Sequence, residues 1–368
     1  MAHNLQERYS KLALAKIRKE LVLKDGIVFN NDYEGDPKAG AVKIPTRDTE
    51  VAVSDYNKAT GATKTTGATS YTTLAISKDK AVNEVIDGYD ADAVPDDLVA
   101  DRLDSAGYAL AAQVDNDGAQ ALLAGGTTVN VASLTSTNIY AEIVNIRTAM
   151  SKANIPNDGK RFLLVVPDTL ALLLKSPEFI SASSLGDDVK QAGIIGKIAG
   201  FNVIEWNDST ANLAMIAGHP RFATRVNEWA VPVKIQDLSG SGDFIGASAV
   251  QGRFVYDHAV LRATAIRNVY SPSALGGSLA KATGTGKTGK TVVTISTGNT
   301  GTTYAYKVNP TENAKYGTTT TDYAGTTLTS GTTAISVSAG DVIEVVNLDS
   351  SAVVATAYFK VTADDIAE

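Results

Sequence analysis

The stretches 161–179, RFLLVVPDTLALLLKSPEF, and 193–207, GIIGKIAGFNVIEWN, carry the most distinctive pattern in the chain. The apolar run FLLVV is typical of a strand that is buried on both faces. Pro167 stops this strand, and the leucine-rich run behind it predicts a short helix. Gly193, Gly196 and Gly200 permit tight turns ahead of the next apolar run, FNVIEW, which predicts a second strand. This order of elements predicts the core of an α+β domain.

Three further elements are predicted ahead of these stretches. Residues 4–22 have apolar side chains at roughly helical spacing and predict an amphipathic helix with a basic polar face. Residues 36–80 place two alternating runs, AVKIPT and YTTLAIS, on either side of a Gly/Thr/Ala-rich tip, which predicts a long β-hairpin that cannot bury a core alone. Residues 92–124 predict one long helix with Pro95 in its first turn. The tract DNDG at 115–118 is expected to kink or end that helix.

Behind the central stretches the pattern becomes rich in strands. The runs FIGASAVQGRFVY and AVLRATAIRNVY predict a hairpin that turns at Asp257 and His258. Residues 276–290 are rich in Gly, Ser, Thr and Lys and predict a linker. From residue 291 onward, five or more short alternating runs separated by turn residues predict a small all-β sandwich of immunoglobulin-like size. The Cys–Trp–Cys marks of antibody domains are absent, so the pattern predicts only the architecture.

The composition excludes several classes of protein. The chain has 368 residues, 44% of them hydrophobic and 20% charged, which is typical of a globular protein. It has no cysteine, so disulfides, thiolate zinc sites and cysteine nucleophiles are excluded. The net charge of −7 does not favour a surface that clamps nucleic acid. We find no signal peptide and no apolar run near the ~18 residues of a membrane span, so we expect a cytoplasmic protein without membrane contact.

The sequence contains no catalytic or ligand-binding motif in the context that its chemistry requires. Residues 284–291, GTGKTGKT, match the phosphate-binding pattern G-x-x-x-x-G-K-[ST], but that site needs a strand before the loop and a helix after it. Here a Gly-rich segment precedes and β-prone residues follow. His3, His219 and His258 lack metal-ligand spacing, and the acidic clusters lack the order of a calcium loop. The sequence therefore predicts no catalytic, cofactor-binding or metal-binding residue, and we do not expect an enzyme.

The order of elements resembles the major capsid protein of tailed double-stranded DNA bacteriophages, whose fold herpesvirus shell floors and bacterial encapsulins share. The resemblance in amino-acid sequence is strongest in one passage. It comprises the strand that ends in Val-Val-Pro, the short helix, and the Gly-rich segment that leads to Gly-Phe-x-Val. The resemblance implies an α+β capsid fold with an added C-terminal Ig-like sandwich. It implies these parts: an N-terminal arm at 1–35, an extended β-hairpin loop at 36–80, a peripheral domain with a spine helix at 81–136 and 240–275, an axial domain at 137–239, a linker at 276–290 and the Ig-like domain at 291–368.

The resemblance implies that the chain is a structural subunit. It would self-assemble, through hexamers and pentamers, into the icosahedral capsid shell that encloses phage double-stranded DNA, with no sequence-specific DNA contact. A portal protein is implied as a partner, and so is a separate scaffolding protein, because residues 1–35 are too short to hold a scaffolding domain. The expected location is the virion capsid, assembled in the host cytoplasm. The C-terminal domain resembles Ig-like modules that some phage coats display outside the shell.

The sequence leaves other interpretations of the protein's function open. Some relatives of the resembled family join their subunits through Lys–Asn crosslinks, and Lys58 and Lys64 lie near the hairpin tip, but no partner or catalytic acid can be identified. An encapsulin-like compartment would share the fold and would hold a cargo enzyme instead of DNA. A β-rich adhesin that binds carbohydrate is a third possibility, which the missing secretion signal disfavours.

Overall fold

The computed structural model describes residues 18, 21–36, 40–46, 51–64, 70–93, 98–177, 196–239, 244–297, 303–319, 323 and 326–368. The contacts between Cα atoms divide the chain into two compact units. The first unit comprises residues 1–126 and 219–266, and the second comprises residues 127–218 and 267–368.

Helices and strands alternate in the first half of the chain, and strands follow one another in the second. The α-helices of the described ranges are α1 (Gly88–Ala93), α2 (Leu98–Gly125), α3 (Ile139–Lys152) and α4 (Pro167–Leu174). The first strands are β1 (Ala41–Thr46), β2 (Ser70–Ala75), β3 (Lys78–Ile86), β4 (Thr127–Asn130), β5 (Phe162–Val165), β6 (Lys197–Ile198), β7 (Phe201–Glu205), β8 (Leu213–Gly218), β9 (Ala223–Asp237), β10 (Ser248–Val260) and β11 (Arg267–Tyr270). The later strands are β12 (Ser273–Ala274), β13 (Gly276–Lys281), β14 (Lys290–Thr297), β15 (Thr303–Val308), β16 (Thr327–Leu328), β17 (Ala334–Ser336), β18 (Val342–Asp349) and β19 (Ala352–Lys360).

The first unit is built on a three-stranded antiparallel sheet in the order β3-β10-β9. Helix α2 packs on one face of this sheet, where Ile86, Ala106 and Val250 form a buried cluster. The helix has 28 residues and is therefore about 42 Å long. Strands β1 and β2 pair separately as an antiparallel hairpin, from Ala41 opposite Ala75 to Thr46 opposite Ser70. The two strands predicted on either side of the Gly/Thr/Ala-rich tip are thus confirmed.

The second unit begins with a six-stranded mixed sheet in the order β4-β11-β8-β5-β7-β6. Strands β5 and β8 are buried along their whole length, as their unbroken apolar sequences predict. Helix α4 starts at Pro167, whose fixed φ and missing N–H suit the first turn. Helix α3 buries the four apolar side chains at its i, i+4, i+7 and i+11 positions, which are Ile139, Ile143, Ile146 and Met150. The strand–helix core predicted for this region is confirmed.

The remainder of the second unit is all-β. A five-stranded sheet has the order β12-β19-β18-β15-β16, and a three-stranded sheet has the order β13-β14-β17. Val293 of the smaller sheet and Ile343 and Val345 of the larger sheet belong to one buried core. Two sheets that share a core agree with the predicted all-β architecture, while the immunoglobulin-like assignment stays a prediction.

The hairpin predicted to turn at Asp257 and His258 is wrong. Both residues lie inside β10, which continues to Val260 and pairs with β3 and β9, whereas β11 pairs with β4 and β8. The polar pair does not turn the chain because both side chains make tertiary contacts that hold them within the strand. The Asp257 carboxylate accepts hydrogen bonds from Ser77, and the His258 ring packs against Phe29.

The predicted linker at 276–290 is also wrong. Gly276–Lys281 is strand β13, which pairs antiparallel with β14, and only the residues after it form a turn. Leu279 packs against the β-domain core, which gives the Gly-rich run a side chain to bury. Strand β9 lies within the predicted axial segment 137–239, yet it pairs with β10 in the first unit.

Two helix predictions fall partly outside the described residues. Helix α2 covers the predicted helix from residue 98 onward and runs through the tract 115–118 without ending there. Residues 94–97, which include Pro95, lie outside the described ranges. Most of the helix predicted over 4–22 is likewise outside them, and its described residues, Arg18, Leu21 and Val22, are not helical.

Candidate functional site: an anchor cluster and exposed apolar surfaces

A buried cluster around Arg225 joins four parts of the first unit. The Arg225 Nη2 donates to the carbonyl oxygen of Leu23 at 2.8 Å, and its Nη1 lies 3.0 Å from the Asp25 carboxylate. Its Nε donates to His258 Nε2 at 2.9 Å. The guanidinium also lies over the Phe29 ring, 5.2 Å from the centroid. We call these residues, together with Asp115, Asp117, Tyr256 and Asp257, the anchor cluster.

Helix α2 contributes two carboxylates to the anchor cluster. Asp115 is buried and accepts the backbone N–H of Leu23 at 2.9 Å, so both backbone polar groups of Leu23 are held. Asp117 accepts a hydrogen bond from the hydroxyl of the fully buried Tyr256 at 2.9 Å. Each acid in the middle of α2 therefore has a specific acceptor role, and this explains why the helix continues through the tract 115–118.

The same cluster fixes the base of the β1–β2 hairpin. Asp257 Oδ2 accepts hydrogen bonds from both the backbone N–H and the hydroxyl of Ser77, each at 2.9 Å. Lys78, the first residue of β3, places its ammonium 3.9 Å from Asp117. Side chains of α2 and β10 that lie next to one another thus fix the positions of two segments. One is the segment that contains Leu23, and the other is the root of the hairpin.

Burial shifts the acid–base behaviour of the cluster. Desolvation, followed by the positive charge of Arg225, lowers the pKa of His258 to about 4. The neutral imidazole is therefore the form that the fold requires, since Nε2 must accept the hydrogen bond from Arg225. Desolvation also lowers the pKa of Arg225, and the charges of Asp25 and Asp115 act in the opposite direction. Desolvation and the hydrogen bond to Asp117 raise the pKa of Tyr256.

Two surfaces of the first unit expose large apolar side chains. On the hairpin tip, residues 51–64, the exposed side chains include Val51, Val53 and Tyr56, and Val53 is 97% exposed. Ahead of β10, Phe244 and Ile245 are also exposed, and Ile245 reaches 92%. Apolar side chains grouped in this way mark surfaces that another molecule covers.

The structure places the residues that the sequence singled out in ordinary structural roles. Gly284, Gly286 and Gly289 have positive φ and form the turn between β13 and β14, so a strand rather than a helix follows the GTGKTGKT tract. His219 is buried and its Nδ1 accepts the backbone N–H of Arg221 at 3.2 Å. His3 lies outside the described residues.

Two negative findings apply to the described part of the chain. It brings together no three His, Cys, Asp or Glu side chains that could hold a metal ion. Nor does it contain a helix with the length and apolarity needed to span a bilayer.

Sequence reasoning missed the anchor cluster. Its members lie at 23–29, 115–117, 225 and 256–258, and no local pattern links such distant positions. The one available signal was the acidic tract inside an otherwise regular helix, because carboxylates at the centre of a packed helix need buried partners.

The comparisons with solved structures define the class of the fold. One chain, from Mycobacterium phage Che8, is 24% identical with a TM-score of 0.60, and the match covers 73% of this chain and 97% of that one. The capsid of cyanophage P-SCSP1u is 14% identical with a TM-score of 0.60, over 72% and 92% of the two chains. The mature capsid of bacteriophage PhiM1 is 15% identical with a TM-score of 0.53, over 70% and 91%. The fold is therefore that of phage capsid subunits, as predicted.

The family follows from a separate comparison. A family model described as phage capsid protein matches residues 84–269, just over half of the 368 residues. The chain belongs to this phage capsid protein family and is a structural subunit of the capsid shell. A search of the curated proteins finds no match.

We predict that Gly118→Ala weakens the anchor cluster while Gly107→Ala does not. Both glycines lie inside α2. A Cβ at Gly118 would lie 3.0 Å from the Phe29 ring and 3.3 Å from His258 Nε2, whereas a Cβ at Gly107 would meet no atom within 4 Å. Chemical unfolding of the purified subunit should show a loss of about 1–3 kcal/mol for Gly118→Ala. It should show a gain of up to about 1 kcal/mol for Gly107→Ala. Equal behaviour of the two variants would contradict the packing described.

We also predict that His258 makes the stability of the subunit depend on pH. Because folding lowers its pKa from 6.5 to about 4, the unfolded chain binds more protons between these values. The contribution of His258 is complete above pH 6.5 and is lost as the pH falls towards 4, by up to about 3 kcal/mol.

Urea unfolding at a series of pH values, with each protein referenced to its own stability at pH 7.5, measures this contribution. His258→Gln keeps an oxygen that can accept from Arg225 but does not titrate, so its stability should fall less between pH 6.5 and 4. The same slope in both proteins would show that His258 is not the responsible group.

Proposed function

We propose that this capsid protein self-assembles, through hexamers and pentamers, into an icosahedral shell that encloses double-stranded DNA. The exposed apolar tip of the β1–β2 hairpin is the observation that carries the proposal. A separate scaffolding protein and a portal protein would be its assembly partners, and assembly would take place in the host cytoplasm. The role is structural rather than catalytic.

The tip is an ordered turn rather than an unstructured end. Asn57 and Gly61 exchange backbone hydrogen bonds of 3.2 and 2.7 Å, and Asn57 Oδ1 accepts the N–H of Ala59 at 2.8 Å. Ser54 Oγ accepts the N–H of Thr63 at 3.2 Å. A turn that is held by its own hydrogen bonds and directs Val53 into water gains stability when another subunit covers that side chain.

The second exposed surface supports further contacts between subunits. Phe244 and Ile245 precede Gly246, which has a φ of +76°. A Cβ at Gly88 would lie only 2.2 Å from the Gly246 carbonyl oxygen, so the start of α1 and this turn approach each other closely. The two glycines hold the exposed pair on a backbone of defined shape, as a repeated contact between identical subunits requires.

The charge of the chain supports enclosure of DNA rather than tight binding of it. The net charge is −7, so long-range attraction to phosphates is weak, and we expect DNA contacts without sequence specificity. The family match does not favour an adhesin, and an encapsulin-like compartment would differ in its contents. Particles purified with the neighbouring genes present should contain nuclease-protected DNA and no enzyme cargo.

The division into two units supports a discontinuous peripheral domain in this subunit. Residues 219–266 join residues 1–126 in the first unit, because β9 and β10 complete the sheet that packs on α2. We therefore propose a peripheral domain bounded near residues 126, 219 and 266, and an axial domain formed by the six-stranded sheet of the second unit. The C-terminal β-domain would lie on the outside of the shell.

We predict that Val53→Asp abolishes shell formation while Thr60→Asp does not. Both residues are exposed on the hairpin tip, and both variants add the same charge. Burial of a new carboxylate against a neighbouring subunit would be strongly unfavourable at Val53, whereas Thr60 offers no comparable apolar group. Electron microscopy of negatively stained particles gives the yield of shells, and circular dichroism verifies the fold. Wild-type yields from a correctly folded Val53→Asp protein would refute the role of the tip.

A further inference from the structure

The C-terminal half of α3 lies beside two loops of the second unit. One loop connects α3 to β5, and the other is the turn between β6 and β7. A Cβ at Gly200 in that turn would lie 3.7 Å from Arg147 Nε. Lys197 is the cross-strand partner of Asn202, whose side chain donates to the carbonyl oxygen of Gly159 at 2.9 Å. These contacts bring α3 and both loops together on one surface.

A buried arginine fixes the loop between α3 and β5. Arg161 precedes β5 and is 1% exposed. Its Nε donates to the carbonyl oxygen of Pro156 at 2.8 Å, and its Nη2 donates to that of Ile155 at 2.5 Å. Its Nη1 donates to the Ser151 hydroxyl at 3.3 Å. All three acceptors are uncharged, so they hold the guanidinium in place without neutralising it.

The same surface has an excess of positive charge. Segments 147–161 and 196–202 contain five basic residues and one acidic residue, which gives them a net charge of +4 in a chain whose net charge is −7. Asp158 is the acid, and it accepts the N–H of Lys160 at 3.1 Å. The five basic residues, which we call the basic cluster, are Arg147, Lys152, Lys160, Arg161 and Lys197. Positive charge is therefore concentrated at one place in a chain that is acidic as a whole.

The charges of the basic cluster are not neutralised within the described part of the chain. All its members except Arg161 are exposed, and no ion pair joins any member to a described carboxylate. Desolvation, followed by the charge of Arg147, lowers the pKa of Arg161, and Asp158 acts in the opposite direction. An anion bound at Arg147 would offset this repulsion between the two guanidinium groups.

The chemistry of this surface favours phosphates over a protein partner. Apart from the cations, the exposed residues of both segments are polar side chains or glycines. None of the large apolar side chains that are exposed in the described residues lies in either segment. The core of a protein interface is usually apolar and aromatic, whereas surfaces that bind nucleic acid are polar and positively charged. The basic cluster therefore has the character of the second kind of surface.

We propose that the exposed members of the basic cluster bind the phosphate backbone of DNA, with Arg147, Lys160 and Lys197 in contact with phosphates. This inference rests on the proposed enclosure of DNA and deepens it, because it names the surface of the subunit that meets the packaged molecule. Phosphate contacts carry no sequence information, so duplexes of different sequence should bind equally. Since the chain is acidic as a whole, binding should be weak and confined to low salt.

Fluorescence anisotropy of a labelled DNA duplex tests the proposal on the unassembled full-length subunit. The triple variant Arg147→Gln, Lys160→Gln and Lys197→Gln should bind at least about tenfold more weakly than wild type at low salt. The slope of the logarithm of affinity against the logarithm of salt concentration should decrease in magnitude by about 2–3, since each lost phosphate contact removes about 0.9.

A charge-matched control separates the site from the effect of net charge. The triple variant Lys175→Gln, Lys315→Gln and Lys360→Gln removes three exposed charges elsewhere in the second unit and should bind within about twofold of wild type. Circular dichroism verifies the fold of both triple variants. If the cluster variant fails to fold, Arg147→Gln alone decides, because its side chain is exposed, and it should weaken binding at least about threefold.

Competition distinguishes DNA from an acidic protein segment as the ligand. Poly-glutamate at the same concentration of charge should displace the labelled duplex less effectively than unlabelled duplex does. Equal affinities of the two triple variants, no binding by wild type at low salt, or equal or better competition by poly-glutamate would overturn the proposal. Nuclease-protected DNA in wild-type particles reports on enclosure separately, so failure of this site would leave that result unchanged.

Discussion

The guanidinium of Arg225 is largely buried, and each of its three nitrogens has a partner: the Leu23 carbonyl, the Asp25 carboxylate and the His258 imidazole. A charge taken out of water is stable in a protein only when such partners are in place. The requirement constrains the rest of the first unit, because those partners come from the segment before β1 and from β10. Carboxylates of α2 and β10 then hold Leu23 and Ser77. Removal of any one partner would leave a buried polar group unsatisfied.

This constraint has a consequence for a shell subunit. The segment around Leu23, which buries Leu23 and Phe29, and the root of the β1–β2 hairpin at Ser77 are both held by the same cluster. The hairpin can expose Val53 and Tyr56 at its tip because its base is fixed by Ser77 and Lys78. An exposed apolar group on a fixed base loses little conformational entropy when a neighbour covers it.

Local patterns predicted much of the fold. The apolar run at β5, Pro167 at the start of α4 and the four buried positions of α3 follow from periodicity and from the geometry of proline. The errors share one cause. Asp257, His258 and the tract 115–118 have the composition of turns, but tertiary hydrogen bonds keep them in a strand and a helix. The Gly-rich start of β13 has the composition of a linker, and its pairing with β14 depends on residues beyond the turn.

The candidate site was less predictable than the fold. Exposure of the hairpin tip follows from its composition, whereas the anchor cluster depends on pairs separated by long stretches of chain, such as Leu23 with Arg225. Single-sequence periodicity contains no information about such pairs. The capsid resemblance identified the architecture because it rests on the order of elements. It could not identify which side chains hold those elements together.

Electron cryomicroscopy of particles formed by the chain, expressed with its neighbouring genes, tests the central claim most directly. The account predicts closed icosahedral shells in which Val53 and Tyr56 of each hairpin tip are buried against a neighbouring subunit, while the contacts of Arg225 are retained. Monomers alone, or shells in which the hairpin tips remain in solvent, would contradict it.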